Sequence, residues 1–442
     1  MLLSFEMLSG ESFCFRIYLK DKGPSGYSID NPKFFLSQEA ISRRQKEHIP
    51  VDTSDLPIAH AYLDTLGALG AKPVVTSKWF STVVVECEDS AIAGQLQALS
   101  IVDSVKWVWK GNRNTTTTTG TDKDTARLFP TDAPKNTTYG YAEKQIHMLN
   151  GIRLHKEGYR GKGMRVAVID AGFMFADRMA VFDSLRLEGT YNVITPGESV
   201  FFDDEHGTKV LSCLAANAPG VMVGTAPEAS YWLIKSEDGH SEYPIEEDYW
   251  TAAVEFADSV GVQVISSSLG YYAFDNKELS YHPSMLDGKT AFISRTAREA
   301  ARKGLLLFVS AGNEGNGSWE KLTFPADVQH VVTVGSITEG RVKSVFSSVG
   351  FTADARVKPD VVALGTNCTV IDGSGSIRYA SGTSFSTPIV AGLGVCLWQA
   401  LPQLNNLEIM DRIRRSSSQY ALPDAGMGYG IPNLYNALKD EP

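Results

Sequence analysis

The string Gly382-Thr383-Ser384-Phe385-Ser386-Thr387-Pro388 presents a serine hydroxyl ahead of an almost wholly apolar run, Ile389 to Trp398, that reads as a buried helix. Proline is tolerated in a helix's first turn, where its missing N–H has no partner to lose, so Pro388 predicts a helix start near Ser384. The backbone N–H groups of such a start lack intrahelical acceptors and carry the positive end of the dipole. That setting suits an oxyanion forming beside the hydroxyl. Asp170 closes the apolar run Arg165-Val166-Ala167-Val168-Ile169, which reads as a buried parallel strand. Ligands of open α/β sheets bind beyond such strand ends. His206-Gly207-Thr208 opens a segment with Val210, Leu211, Leu214 and Ala215 at helical spacing, so the imidazole projects from a first turn toward the strand ends. Each residue alone has a plain alternative: a Ser/Thr helix cap, a strand-ending aspartate, one of eight histidines.

Together they point further. Gly-Thr-Ser-x-Ser-x-Pro is similar to the nucleophile motif of the subtilisin-like serine proteases, and Asp170, His206 and Ser384 stand in that family's order of Asp, His, Ser. The resemblance implies the roles. His206 takes the Ser384 proton during attack on a peptide carbonyl and returns it to the leaving amine, while Asp170 holds the imidazole tautomer. It also implies an oxyanion donor. Leu305 to Ser310 reads as another buried strand, followed by Ala311-Gly312-Asn313, and the family motif there places the donor at Asn313. The plain reading of Asn313-Glu314-Gly315 is a turn. Val262 to Ser267 reads as a strand ending in Ser268-Leu269-Gly270, whose family counterpart pairs with the substrate backbone. Many relatives have a small residue after that glycine. Here Tyr271 and Tyr272 follow, and they are expected to narrow or reshape the cleft.

The order of segments predicts how these residues are positioned. From 141 onward apolar strands alternate with helical segments, the first helix at Lys144 to Asn150, predicting an α/β domain of three layers with a mostly parallel sheet. Met427-Gly428-Tyr429-Gly430-Ile431-Pro432-Asn433 resembles the close of many subtilisin-like domains. Residues 1–110 have a pattern of their own. Strands are read at Phe15–Leu19, Val74–Phe80, Thr82–Glu86 and Val102–Trp109, with helices at Ala59–Leu69 and Ser90–Leu99. This βαββαβ order is that of a small α+β, ferredoxin-like unit. A surplus helix is expected at Phe34–Glu47, with Arg43-Arg44-Gln45-Lys46 as its solvated face. The resemblance implies that this unit is a propeptide, an intramolecular inhibitor and folding template; a permanent accessory domain is the alternative. Residues 111–140, with the run Thr115–Thr119, read as an exposed linker in which cleavage is expected.

Bulk properties bound the rest. A chain of 442 residues with 43% hydrophobic residues is long enough for two or three domains, and it holds no apolar run of the ~18 residues that span a membrane. A net charge of −10 argues against nucleic acid as a partner. Peptide or protein substrate and the chain's own propeptide are the expected partners, with a monomer as the expected state. Met1 to Leu8 has no basic segment and is interrupted by Glu6, so no signal peptide is recognisable. The resemblance implies a secreted or periplasmic protein, and a start truncated ahead of Met1 is the preferred explanation. Five cysteines are scattered without zinc-type spacing, and Cys14 and Cys87 are candidates to pair. Asp203-Asp204-Glu205 and Glu246-Glu247-Asp248 lack the spacing of a calcium loop and read as solvated acidic loops. The first of these directly precedes His206 and is placed to favour its charged form. No metal ligand or cofactor is expected.

The leading expectation is therefore a serine endopeptidase made as a zymogen. A catalytically inactive homologue that binds peptides is the alternative. An esterase fits less well, since Ser384 lacks the Gly-x-Ser-x-Gly context and the Ser, Asp, His order.

Overall fold

Strict alternation in Ser12–Leu19 (β1) sends Phe15, Ile17 and Leu19 to one face and Cys14 and Arg16 to the other. That division organises the amino-terminal unit in the computed structural model, which describes residues 11–112, 127–132 and 134–440. The segment Met1–Leu8 and the run Thr115–Thr119 lie outside the described residues. After β1 come α1 (Gln38–Lys46), α2 (His60–Ala68), β2 (Lys72–Ser77), β3 (Thr82–Cys87), α3 (Ile92–Gln97) and β4 (Val102–Gly111). The strands form an antiparallel sheet in the order β2-β3-β1-β4. One face packs on α2 and α3 through Leu66, Ile92 and Leu96. The other joins the core of the larger unit through Cys14, Val84, Val108 and Trp109. Cys14 and Cys87 therefore face opposite sides of the sheet, and neither is in a disulfide. The candidate pairing is excluded by the pleat.

The larger unit follows with α4 (Glu143–His147), α5 (Gly151–Lys156), β5 (Arg165–Asp170), β6 (Arg186–Asn192), α6 (His206–Ala215), β7 (Asn217–Ala218), β8 (Met222–Val223), β9 (Ser230–Lys235), α7 (Ile245–Ser259), β10 (Val264–Ser267), α8 (Phe292–Arg302), β11 (Leu306–Ser310), β12 (Val332–Ile337), β13 (Val361–Leu364), β14 (Cys368–Ile371), β15 (Ile377–Ala380), α9 (Thr383–Ala400), α10 (Asn406–Arg415) and α11 (Leu434–Lys439). Seven strands form a parallel sheet in the order β13-β12-β11-β10-β5-β9-β6. Helices α6 and α9 cover one face, against Val166, Val168, Leu306 and Phe308. Helices α7 and α8 cover the other, against Ala167, Ile169, Ile265 and Leu307. This gives three layers, with near-continuous apolar strands at the centre because both sheet faces are buried.

Residues 127–132 and 134–140 are mostly exposed and are tied to the larger unit at a few points. Leu128 donates to Arg178 O at 2.9 Å and Lys135 to Gly220 O at 2.7 Å, and Tyr139 is buried with its hydroxyl 3.0 Å from His155 Nδ1.

The sheet of the amino-terminal unit lies over α7. Arg16 is fully buried and donates from Nε and Nη2 to Asp248, each at 2.6 Å. Glu255 accepts from Ser77 Oγ at 2.5 Å, Lys78 N at 2.9 Å and Trp79 N at 3.0 Å. Glu246, Glu247 and Asp248 are buried in the first turn of α7, where acids favour the helix dipole, so they are not a solvated loop.

Candidate active site

Asp170 is the last residue of β5 and is fully buried. Its Oδ1 accepts from Ala171 N at 2.9 Å and from His206 Nδ1 at 2.6 Å. His206 is the first residue of α6, and its own backbone N–H donates to Asp204 Oδ1 at 2.6 Å. The glycine after it matters sterically. A Cβ on Gly207 would lie 2.3 Å from Gly172 O and 3.0 Å from Asp170 Cβ, so only glycine lets the helix start close on the strand end. With Nδ1 committed to a carboxylate, Nε2 is the nitrogen left to exchange a proton.

Ser384 lies in the first turn of α9, and its ring neighbour Phe385 sits 5.9 Å from the His206 ring, centroid to centroid. The Ser384 hydroxyl donates to Ser268 O at 3.4 Å, a long bond, and no hydrogen bond joins it to His206 among the described residues. Pro388 falls in the second turn, one turn later than the first-turn rule predicts. The reason is local. A proline there cannot donate to the carbonyl four residues back, which is that of Ser384. That carbonyl instead accepts from Ser268 Oγ at 2.9 Å. Nothing in the sequence marked this pairing.

Asn313 follows β11, and its Oδ1 accepts from Thr383 N at 2.9 Å and Thr383 Oγ1 at 3.0 Å. The side-chain carbonyl is thus held and the amide N–H groups remain to donate. Ser268, Leu269 and Gly270 continue β10 beyond the register it shares with β5 and β11. They are not on a sheet edge, since β10 is central; they follow its last paired residue, Ser267. His206, Ser384, Asn313 and Ser268–Gly270 line one cleft of about 320 Å³, with Glu237, Glu314 and Thr323. Tyr271 does not narrow it. It is buried, pairs with Phe324, and donates its hydroxyl to Glu237 Oε1 at 3.2 Å. Tyr272 stacks on Trp319 and donates to Glu314 Oε2 at 2.8 Å.

Burial alone would depress the His206 pKa. The Asp170 carboxylate overrides it, with Glu237 and Asp204 adding, and the ring is pushed up to about 9. Glu237 is raised to about 8 by burial and by the charges of Asp170 and Glu242. Of the acids ahead of His206, Asp204 is the one that acts on it. Asp203 pairs with Lys235 at 2.9 Å, and Glu205 accepts from Lys209 Nζ at 2.5 Å and Gly373 N at 2.7 Å. Among the described residues no group of three or more histidine, cysteine or acidic side chains is placed to hold a metal ion.

Comparison with known proteins gives this arrangement a family. Residues 161–430 match the Subtilase family. The chain belongs to the subtilase family. Residues 14–125 match the Peptidase S8 propeptide domain of Bacteroidota, so the amino-terminal unit of this subtilase is a propeptide domain. Subtilisin NAT of Bacillus subtilis subsp. natto is 29% identical over 301 residues, covering 66% of this chain and 70% of that one. Subtilisin of Bacillus pumilus is 28% identical over 301 residues, covering 66% of this chain and 98% of that one. The crystal structure of MycP1 from the ESX-1 type VII secretion system superposes with a TM-score of 0.53 at 22% identity, covering 70% of this chain and 89% of that chain, and so shares the fold. No described helix of this subtilase is long and apolar enough to cross a membrane.

Proposed function

We propose that this subtilase is a serine endopeptidase, made as a zymogen, that cleaves peptide bonds through Ser384, His206 and Asp170. The observation that carries the reading is the 2.6 Å Asp170–His206 hydrogen bond set in one cleft with Ser384. Ser384 Oγ attacks the scissile carbonyl while His206 Nε2 takes its proton. The tetrahedral oxygen is met by Ser384 N–H and the Asn313 amide. Collapse expels the amine, which leaves with the proton from His206, and forms the acyl-enzyme. Water, deprotonated by His206, then releases the acid and restores the serine. The substrate backbone lies along Ser268–Gly270. The hydroxyl turns from Ser268 O to His206 when substrate binds, as catalytic hydrogen bonds often form only in the complex.

The propeptide comprises roughly residues 1–110 and the catalytic domain 141–442. The maturation cut falls in the polar, Thr-rich stretch 111–140, a composition in which nicking concentrates. Export to the periplasm or medium accords with relatives such as the Minor extracellular protease Epr of Bacillus subtilis, 26% identical over 279 residues, although the chain spans 38% of that protein.

One observation favours a second reading, an inactive peptide-binding homologue: the Ser384 hydroxyl is bonded away from His206. A fluorophosphonate probe separates the two. Labelling of the processed wild type, lost in Ser384→Ala, supports the enzyme, and absence of labelling rules it out. Intact mass of both proteins tests maturation. A wild type that is active at full length would end the zymogen claim.

A further inference from the structure

We propose that the paired carboxyl-terminal ends of α7 and α8 form a second docking surface for the propeptide, one that keeps it on the enzyme after the chain is cut. The order of events rests on the zymogen reading; the surface itself does not. Relative to a βαββαβ plan, residues 20–58 are surplus, inserted between β1 and α2. They leave the propeptide sheet and reach the point where α7 and α8 turn into β10 and β11. Strands β10 and β11 begin there, whereas the cleft lies beyond their ends. The insertion therefore grips the opposite edge of the sheet from the cleft.

The fit has three parts. The insertion supplies donors to the last helical carbonyls: Ser37 N to Ser259 O at 2.8 Å, and Arg43 Nη1 to Lys303 O at 2.9 Å. Such carbonyls have no partner within their own helix. Its charges interlock with buried charges of the catalytic domain. Arg43 and Arg44 both bond Asp258, and Asp55 accepts from Arg44 at 2.9 Å and from Lys303 Nζ at 2.8 Å. All five side chains are buried. The third part is close backbone approach. Gly261 and Gly304 end the two helices at φ +83° and +85°. A Cβ on Gly261 would meet Glu39 Cβ at 2.5 Å and Ala40 N at 2.7 Å, and one on Gly304 would meet Glu47 Oε2 at 2.3 Å and Ile49 Cδ1 at 2.5 Å. Each of those atoms belongs to the insertion.

Separation would strip Asp258 of both arginines and Lys303 of Asp55. Losing a partner of a buried, hydrogen-bonded charge pair acts mainly on the dissociation rate, and salt screens such pairs weakly. A cut after β4 leaves this clamp untouched, together with the contact of Trp109 Nε1 with Ser241 Oγ at 3.1 Å. Two linked contacts hold far longer than either alone.

The test uses the full chain with Ser384→Ala, carrying the recognition site of an unrelated, sequence-specific protease in place of Thr115–Thr119. After that protease cuts, release of the propeptide is timed by dilution and size-exclusion chromatography. The cut parent should elute as one complex. Arg43→Ala with Arg44→Ala should release the propeptide on the order of 100-fold faster. Because that change also breaks the Arg44–Asp55 pair inside the propeptide, a second variant touches the catalytic domain alone. Gly261→Asn keeps a left-handed backbone that asparagine tolerates and places its side chain into Glu39 and Ala40, so it too should speed release. Immediate loss of the propeptide from the cut parent, or unchanged release in Gly261→Asn, overturns the proposal. Since the chain lacks its serine, neither result depends on whether the wild type is an active protease.

Discussion

The cleft and the clamp are built from the same kinds of side chain and treat them in opposite ways. In the clamp the charges are paired with one another: Asp258 takes two arginines, Asp55 takes Arg44 and Lys303, and Glu255 nearby takes three donors, although Arg43 Nε, Arg44 Nε and Glu47 Oε2 are buried without a hydrogen-bond partner. In the cleft each group is fixed on one side and open on the other. Asp170 Oδ1 is bonded twice while buried Oδ2 has no partner. Asn313 has its carbonyl tied to Thr383 and its amide free, and Ser384 Oγ has one long bond. A buried polar group short of partners costs about 1–3 kcal/mol. What separates the two ends of the sheet is therefore the pairing of opposite charges, which holds at the clamp, against a row of groups each with a side turned to the cleft, which is free to react.

The sharpest way to break this contrast is to remove an open group. Ser384→Ala should lower kcat by about 10⁶-fold, the size known for a subtilisin that loses its nucleophile, because the triad acts as a unit. A loss of only about tenfold in turnover of a peptide substrate would show that the open hydroxyl is not the nucleophile. Asn313→Ala should cost about 10²–10³-fold in kcat, with KM little changed, since the amide acts on charge that exists only in the transition state. An effect confined to KM would place Asn313 on the holding side of the comparison.

That contrast also explains what was legible in the sequence. Groups of the cleft announce themselves locally: Asp170 ends an apolar run, His206 opens a helix before a glycine, and Ser384 sits in a rare string. The elements carrying them fall within a few residues of the periodicity, and the ferredoxin-like order of the propeptide was readable from alternation alone. Groups of the clamp do not announce themselves. Arg43 and Arg44 on a short helix, and outside the clamp Glu246 to Asp248 in the first turn of α7, carry the same pattern whether a helix faces water or a second domain. The bonds of Arg43 and Arg44 to Asp258, and of Arg16 to Asp248, join residues more than 200 apart. Tyr271 departs from expectation for a related reason: its neighbours in sequence line the cleft, but its backbone bridges to Phe324 and its buried ring stacks with Phe274.

A subtler break comes from pH. A general base must be neutral to take a proton, so with His206 at about 9 the enzyme's kcat/KM should climb roughly tenfold per unit from neutral pH to an alkaline plateau. Stability runs the other way. The folded pKa of His206 is raised above its ordinary 6.5, so the stabilisation from the Asp170 pair is complete below about 6.5 and is lost as pH rises through about 9. Rate profiles of the mature enzyme and melting of full-length Ser384→Ala should show these opposed trends. A midpoint below pH 7, with the plateau already reached at neutral pH, would mean that Asp170, Glu237 and Asp204 do not hold the ring as the geometry implies.

The smallest expected effect tests where holding and reacting meet. Ser268 Oγ satisfies the Ser384 carbonyl, which Pro388 leaves without an intrahelical donor. Ser268→Ala should orphan that buried carbonyl and cost about 1–3 kcal/mol in denaturant unfolding of the Ser384→Ala chain. Pro388→Ala returns a backbone N–H four residues after Ser384 and gives the carbonyl a helical donor. If the hydroxyl stands in for that missing bond, the double change should be less destabilising than the sum of the two by about 1 kcal/mol, a coupling that a double-mutant cycle resolves. Strict additivity would show that Ser268 is not completing the helix, and that the nucleophile's turn is held by the packing of α9 instead.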